Sequence, residues 1–136
     1  MKFNYLAIVI SGLLSTACSA PLPAPQKGMA WIGIETQPGQ QMSARRLDNK
    51  PVQDGRYFQV QPGKHALELF LAYPKENIQG DGLRKCEVHI RYADFLADQQ
   101  YRIKARTNGW SVRAWLYDEA NEKLVESQHV QCGVAG

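Results

Sequence analysis

Apolar and polar positions alternate with a period of two through most of the chain after residue 28, the spacing of half-buried β-strands. In "HALELFLAY" the rule sets His65, Leu67, Leu69, Leu71 and Tyr73 on one face. In "KCEVHIRY" it sets Cys86, Val88, Ile90 and Tyr92 opposite Lys85, Glu87, His89 and Arg91, and in "QYRIKART" Tyr101, Ile103 and Ala105 opposite Arg102, Lys104 and Arg106. Earlier runs, "MAWIGIE", "MSARRLD" and "RYFQV", read as further strands separated by the turn-rich "QPGQ" and "DNKPVQDG". No segment sustains a helical period. The expected fold is therefore all-β, an antiparallel β-sandwich or small barrel of about seven strands in one domain over residues 29–136.

The sharpest local signal is "TNGW", where Asn108-Gly109 between two alternating runs predicts a two-residue type I′ hairpin. With that turn Thr107 faces Trp110, Ala105 pairs with Val112, Ile103 with Ala114, Tyr101 with Leu116, Lys104 with Arg113 and Arg102 with Trp115. Every inward pair is then apolar or aromatic, and a slip of one position would turn the core face to water. After "DEANE", "KLVESQHVQC" completes an expected run of four successive antiparallel strands from Arg84 to Cys132.

The cysteines constrain how that run is arranged. Three are present, and setting aside Cys18, treated below, leaves Cys86 and Cys132, an even pair that in an oxidising compartment predicts one disulfide. In a flat four-strand meander three spacings of about 4.8 Å would hold them roughly 14 Å apart, beyond bonding reach. A bridge therefore requires the sheet to curl or the last strand to cross to a second sheet.

The start of the chain carries the parts of an export signal: Lys2, an apolar core from Leu6 to Leu14, and small residues from Ser15 to Ala17. The run is shorter than the roughly 20 residues of a membrane span. "LSTAC" resembles the lipobox of bacterial lipoproteins, in which a cysteine, here Cys18, is diacylated on sulfur, becomes the new N-terminus and is N-acylated. Thr16 and Ala17 match that pattern, while the leucine stands one place early at Leu14. The alternative is ordinary secretion with cleavage after Ala17 or Ala20. The resemblance implies residues 1–17 as signal peptide, a membrane partner through the lipid, and, with Ser19 rather than aspartate following, an outer-membrane address facing the periplasm. Residues 18–28, with three prolines in "SAPLPAPQKG", read as an extended tether rising about 3 Å per residue.

The stretch "DNKPVQDGRYFQVQPGKHALELFLAY", with its Gln61-Pro62-Gly63-Lys64 turn ahead of a strand, resembles the PEGA-like sandwich modules of exported bacterial proteins. Together with "CEVHIRYADFLADQQYRI" it is similar to small bacterial lipoproteins, which implies an interaction or structural module rather than an enzyme.

Charge and motifs agree with that direction. The full chain carries a net charge of +3, and a leader would remove Lys2, so a global nucleic-acid-binding surface is not indicated. Serine-hydrolase elbows, phosphate loops, dinucleotide fingerprints, H-E-x-x-H and calcium-loop spacings are absent from the sequence, and no cofactor is expected. His65, His89 and His129 lie far apart on different expected strands, and no metal pattern is read. The candidate binding residues are Arg102, Lys104, Arg106, Arg113 and Trp115, on the outward face of the expected hairpin. Two readings stand. Glu126 and Glu87 neutralise a solvated face, or the face takes an anionic envelope polymer, lipopolysaccharide or peptidoglycan, with guanidinium forks on phosphate or carboxylate and Trp115 stacked on a sugar. An envelope protein is the other class of partner.

Overall fold

The computed structural model describes residues 20–75 and 82–133. The segment expected as a signal peptide, and Cys18, lie outside them. The described residues form ten strands: β1 (Ala30–Glu35), β2 (Gln41–Leu47), β3 (Lys50–Pro51), β4 (Tyr57–Val60), β5 (Gly63–Pro74), β6 (Leu83–Phe95), β7 (Gln100–Asn108), β8 (Ser111–Tyr117), β9 (Lys123–Glu126) and β10 (His129–Cys132). They make two five-stranded sheets, sheet 1 in the order β4-β1-β7-β8-β9 and sheet 2 in the order β10-β6-β5-β2-β3.

The all-β expectation holds, and three parts of it are corrected. Neither sheet closes on itself, so the barrel alternative falls. The count is ten rather than about seven, because β3 is added and "KLVESQHVQC" divides into β9 and β10, which with β4 are short strands at the sheet edges. Short edges of this kind leave little unpaired backbone for another chain to extend. Pairing is also not wholly antiparallel, since β1 runs parallel to β7, with Trp31 opposite Gln100 and Glu35 opposite Lys104.

The inward residues of both sheets meet in one hydrophobic cluster. Ile32, Ile103 and Leu116 come from sheet 1, and Leu67, Leu69, Leu71, Val88 and Ile90 from sheet 2, all 0–1 % exposed. Alternation locates these residues correctly because each strand has one wet face and one dry face. At one end Phe95 of sheet 2 meets Tyr101 of sheet 1 edge to face at 5.1 Å, and the Tyr101 hydroxyl accepts the Leu96 amide at 3.0 Å.

The expected four-strand run is broken in two places. The chain leaves sheet 2 after β6 to enter sheet 1 at β7, and it returns to sheet 2 between β9 and β10. The second crossing splits "KLVESQHVQC" at Ser127-Gln128, whose amides bond to the Ala114 and His89 carbonyls of the two sheets. It sets Cys132 directly opposite Cys86, with Cα atoms 4.0 Å apart, and the disulfide forms. The last strand crossing over is the second of the two arrangements that the bridge required.

The β7–β8 hairpin forms two residues out of the expected register. Asn108 pairs with Ser111, so the turn is Gly109-Trp110, with positive φ at Gly109 and not at Trp110. A glycine alone at the first central position is the type II′ requirement, and it frees Asn108 to pair in the strand. The Tyr73 hydroxyl donates to the Gly109 carbonyl at 2.9 Å, tying this tip to sheet 2. Because the shift is even, every inward residue stays inward.

The β2–β3 turn is the type I′ turn of this fold, with Asp48 (φ 49) and Asn49 (φ 67) both left-handed between Leu47 and Lys50. The Asp48 carboxylate accepts the Ala66 amide at 2.8 Å and lies 2.7 Å from His65 Nδ1. Partial burial pushes this carboxyl up. The Ala66 amide, then His65 by hydrogen bond and charge, then Lys50, outweigh it and hold it below the ordinary carboxylate value. A depressed folded value contributes stability that is present above the unfolded value and lost as pH falls through the folded one. Asp48→Asn is therefore expected to flatten the fall of the thermal midpoint below about pH 4. Parallel curves for the variant and the parent between pH 5 and 2 would show that the contact carries no such linkage.

Candidate binding face

All five candidate residues project from the outer face of sheet 1, on the two central neighbours β7 and β8. The true register replaces the expected partners: Lys104 stands opposite Trp115, Arg102 opposite Tyr117, and Arg106 opposite Arg113. The like-charged pair is thus the two arginines rather than Lys104 and Arg113.

Two glutamates neutralise part of the face. Glu126 pairs with Trp115 across β9, yet its carboxylate reaches diagonally to Arg113, with Oε1 2.7 Å from Nε and Oε2 3.0 Å from Nη2. That fork holds the Glu126 carboxyl below its usual value. Glu35 of β1 lies 3.7 Å from Arg102 Nη1 and 3.8 Å from Lys104 Nζ. The Asn121 Oδ1 in the β8–β9 turn accepts from both of the same cations at 3.3 Å. Glu87, the other neutralising residue expected, is on sheet 2 and binds Arg45 instead. Arg106 is exposed and makes no ion pair among the described residues.

Trp115 does not offer a ring to solvent. It is 8 % exposed, with the Arg113 guanidinium carbon 4.9 Å and Lys123 Nζ 4.4 Å from its ring centroid. Its place is beneath the cations, where the ring quadrupole favours them. The aromatic surface of the face is elsewhere, in Trp31 of β1 stacked on Tyr57 of β4 at 4.2 Å and 12° between planes.

Two recesses flank the Arg102–Glu35–Lys104 bridge. The larger, about 530 Å³, is lined by Gln37, Pro38, Gln40, Thr107, Tyr117 and Trp115 with Lys104 and Arg106. At its side Gln40 Nε2 donates to Thr107 Oγ1 at 3.3 Å, while Gln40 Oε1 is buried with no hydrogen-bond partner. The second, about 420 Å³, lies over Gly33 between Trp31 and Arg102, with Gln100 and Glu119 at its border. The recesses thus bring cations and an aromatic shelf to one surface.

Sequence reasoning missed Trp31, Tyr57, Gln40, Glu35, Tyr117 and Lys123 as members of this face. Alternation in "MAWIGIE" does set Trp31, Gly33 and Glu35 on one side of a strand. Nothing local says that this strand lies beside β7, some 65 residues later in the chain. The segment expected as a tether is also partly docked. Gln26 exchanges two hydrogen bonds with Gln59 at 3.0 and 3.1 Å, the Gly28 amide donates to Asp98 at 2.6 Å, and Arg56 donates to the Ala20 carbonyl.

Comparison of the chain with protein-family models, curated proteins and solved structures gives no match. The face must be interpreted from its own chemistry. Among the described residues no helix is long and apolar enough to cross a membrane.

Proposed function

We propose that this protein is a non-catalytic binding module of the bacterial envelope, a lipoprotein anchored through Cys18 whose β-sandwich domain engages an anionic envelope polymer, lipopolysaccharide or peptidoglycan. The outer membrane, on its periplasmic side, is the address that Ser19 favours. The observation that carries the reading is the recess where Lys104 stands beside Arg106, which is exposed and makes no ion pair among the described residues. A phosphate or carboxylate on such a polymer is an acceptor for the two cations. The exposed Arg106 supplies charge that no glutamate of the face takes up.

Binding of this kind weakens with salt, because the cations are at the surface. The test is co-sedimentation of the protein with purified sacculi and with lipopolysaccharide, at low and physiological salt. Lys104→Ala with Arg106→Ala is expected to weaken binding by about tenfold or more, since loss of roughly 1.4 kcal/mol is a factor of ten. Binding by the parent that survives this double substitution would remove the site assignment.

A protein partner is the second reading, and one observation favours it. Trp110 at the β7–β8 turn is 78 % exposed, with the Arg84 guanidinium 4.2 Å from its ring centroid and Leu83 43 % exposed nearby. An exposed tryptophan with arginine is the composition of an interface anchor. Recovery of a discrete envelope protein by crosslinking at Trp110, without polymer co-sedimentation, would favour this reading over the first.

A further inference from the structure

We propose that the outer face of sheet 2 carries a metal-ion site of the zinc class, built from Glu68, Glu87 and His89, with His129 beside it. The site lies on the opposite side of the domain from the basic face and does not depend on its function.

Topology brings these residues together from three strands. Glu68 of β5 is directly opposite His89 of β6, and His89 is directly opposite His129 of β10. Glu87 is two residues before His89 on β6, and so on the same face. One donor atom each from Glu68, Glu87 and His89 lie within 4.8 Å of one another. The His89 and His129 rings are 5.4 Å apart between centroids, which puts a second imidazole at the edge of the site.

The second observation is Glu68 itself. The residue is 8 % exposed, its carboxylate keeps contact with solvent, and it makes no hydrogen bond or ion pair within 4 Å among the described residues, although Arg46 of β2 stands directly opposite it. Two carboxylates this close repel one another, and a cation between them turns that repulsion into attraction. Glu87 is already supported: its Oε1 accepts from Arg45 Nη1 at 3.0 Å, leaving Oε2 turned to His89, 3.8 Å from Nε2. A cation between Glu68, Glu87 Oε2 and His89 would bind both carboxylates and the imidazole at once. Arg45 would then orient a ligand from behind, as groups behind metal ligands do.

The donor set selects the class of ion. Imidazole nitrogen with carboxylate oxygen suits zinc and neighbouring transition metals, whereas calcium and magnesium want oxygen alone. Zinc bonds of about 2.0–2.2 Å in a tetrahedron separate ligand atoms by about 3.3–3.5 Å. Side chains now spread over as much as 4.8 Å reach that spacing by small rotations on a fixed sheet.

Zinc chloride titrated into the full exported chain in detergent tests the site, by calorimetry and by thermal unfolding. One ion per chain should bind, and it should raise the thermal midpoint. His89→Ala and Glu68→Gln are each expected to weaken zinc at least about tenfold and to abolish the rise in midpoint, with a smaller loss for His129→Ala. Glu68→Gln should leave the metal-free midpoint unchanged or higher, because it removes the repulsion between the Glu68 and Glu87 carboxylates. That readout separates a ligand from a residue needed only for folding. No heat and no shift in midpoint with millimolar zinc would overturn the proposal, as would zinc binding that Glu68→Gln and His89→Ala leave intact.

Discussion

Removing the Cys86–Cys132 bond is expected to lower stability by about 4 kcal/mol, the loop-closure entropy of a cross-link spanning 46 residues. For a domain of this size that is a fall in thermal midpoint of about 15 °C or more. The position of the bond makes the loss local as well as global. The two cysteines form a pair whose flanking bond is the Gly133 amide to the Lys85 carbonyl at 2.9 Å, and Cys86 is fully buried. Strand β10 is four residues long, lies at the edge of sheet 2 and pairs only with β6. Without the bond, four residue pairs alone must hold β10, and it should fray first. Thermal unfolding with and without reductant, and of Cys86→Ala with Cys132→Ala, measures the effect. Intact-mass analysis should show a gain of about two mass units on reduction. A midpoint shift below about 3 °C would mean that the bridge closes a segment the fold already holds.

Replacing the residue proposed as the anchor has the larger effect on where the protein is found. A single acyl chain binds membranes only marginally, with an association constant of about 10⁴ M⁻¹, and each added chain multiplies that affinity. Cys18→Ala removes the acceptor for all of them. The protein is expected to move from the membrane pellet to the soluble fraction almost completely, with the folded domain unchanged. Retention of the variant in the membrane fraction after a high-salt wash would sink the lipid anchor. Loss of retention only in high salt would instead point to the cations of the domain as the attachment.

The two sides of the domain offer different chemistry. Sheet 1 presents Arg102, Lys104, Arg106 and Arg113 with two glutamates answering some of them. Sheet 2 presents Glu68, Glu87, His89 and His129 with Arg45 behind. Neither group draws on the core, so substitutions on one face should leave the other face and the fold intact.

Much of the strand layout is legible in the amino-acid sequence, for reasons that are local. A strand with one dry face must alternate, so Leu67, Leu69, Val88, Ile90, Ile103 and Leu116 declare their burial in sequence. The same period turns Arg102, Lys104 and Arg106 outward, and the hairpin carries Arg113 to the same face. Even a turn placed one residue away keeps the faces right, because it moves the register by two and so preserves the period. What the shift changes is the partners, so that Trp115 stands opposite Lys104 rather than Arg102.

The chain alone thus determined the strand content, the inward set, the basic stripe and the pairing of Cys86 with Cys132, because these follow from short-range alternation and from counting thiols. Only the tertiary structure decided that β1 lies parallel to β7, that β10 leaves sheet 1 for sheet 2, and that His89 and His129 become neighbours. The physical reason is the same in each case. Which strand lies beside which depends on how two sheets bury their dry faces against one another, a condition on the whole chain that no local stretch of residues contains.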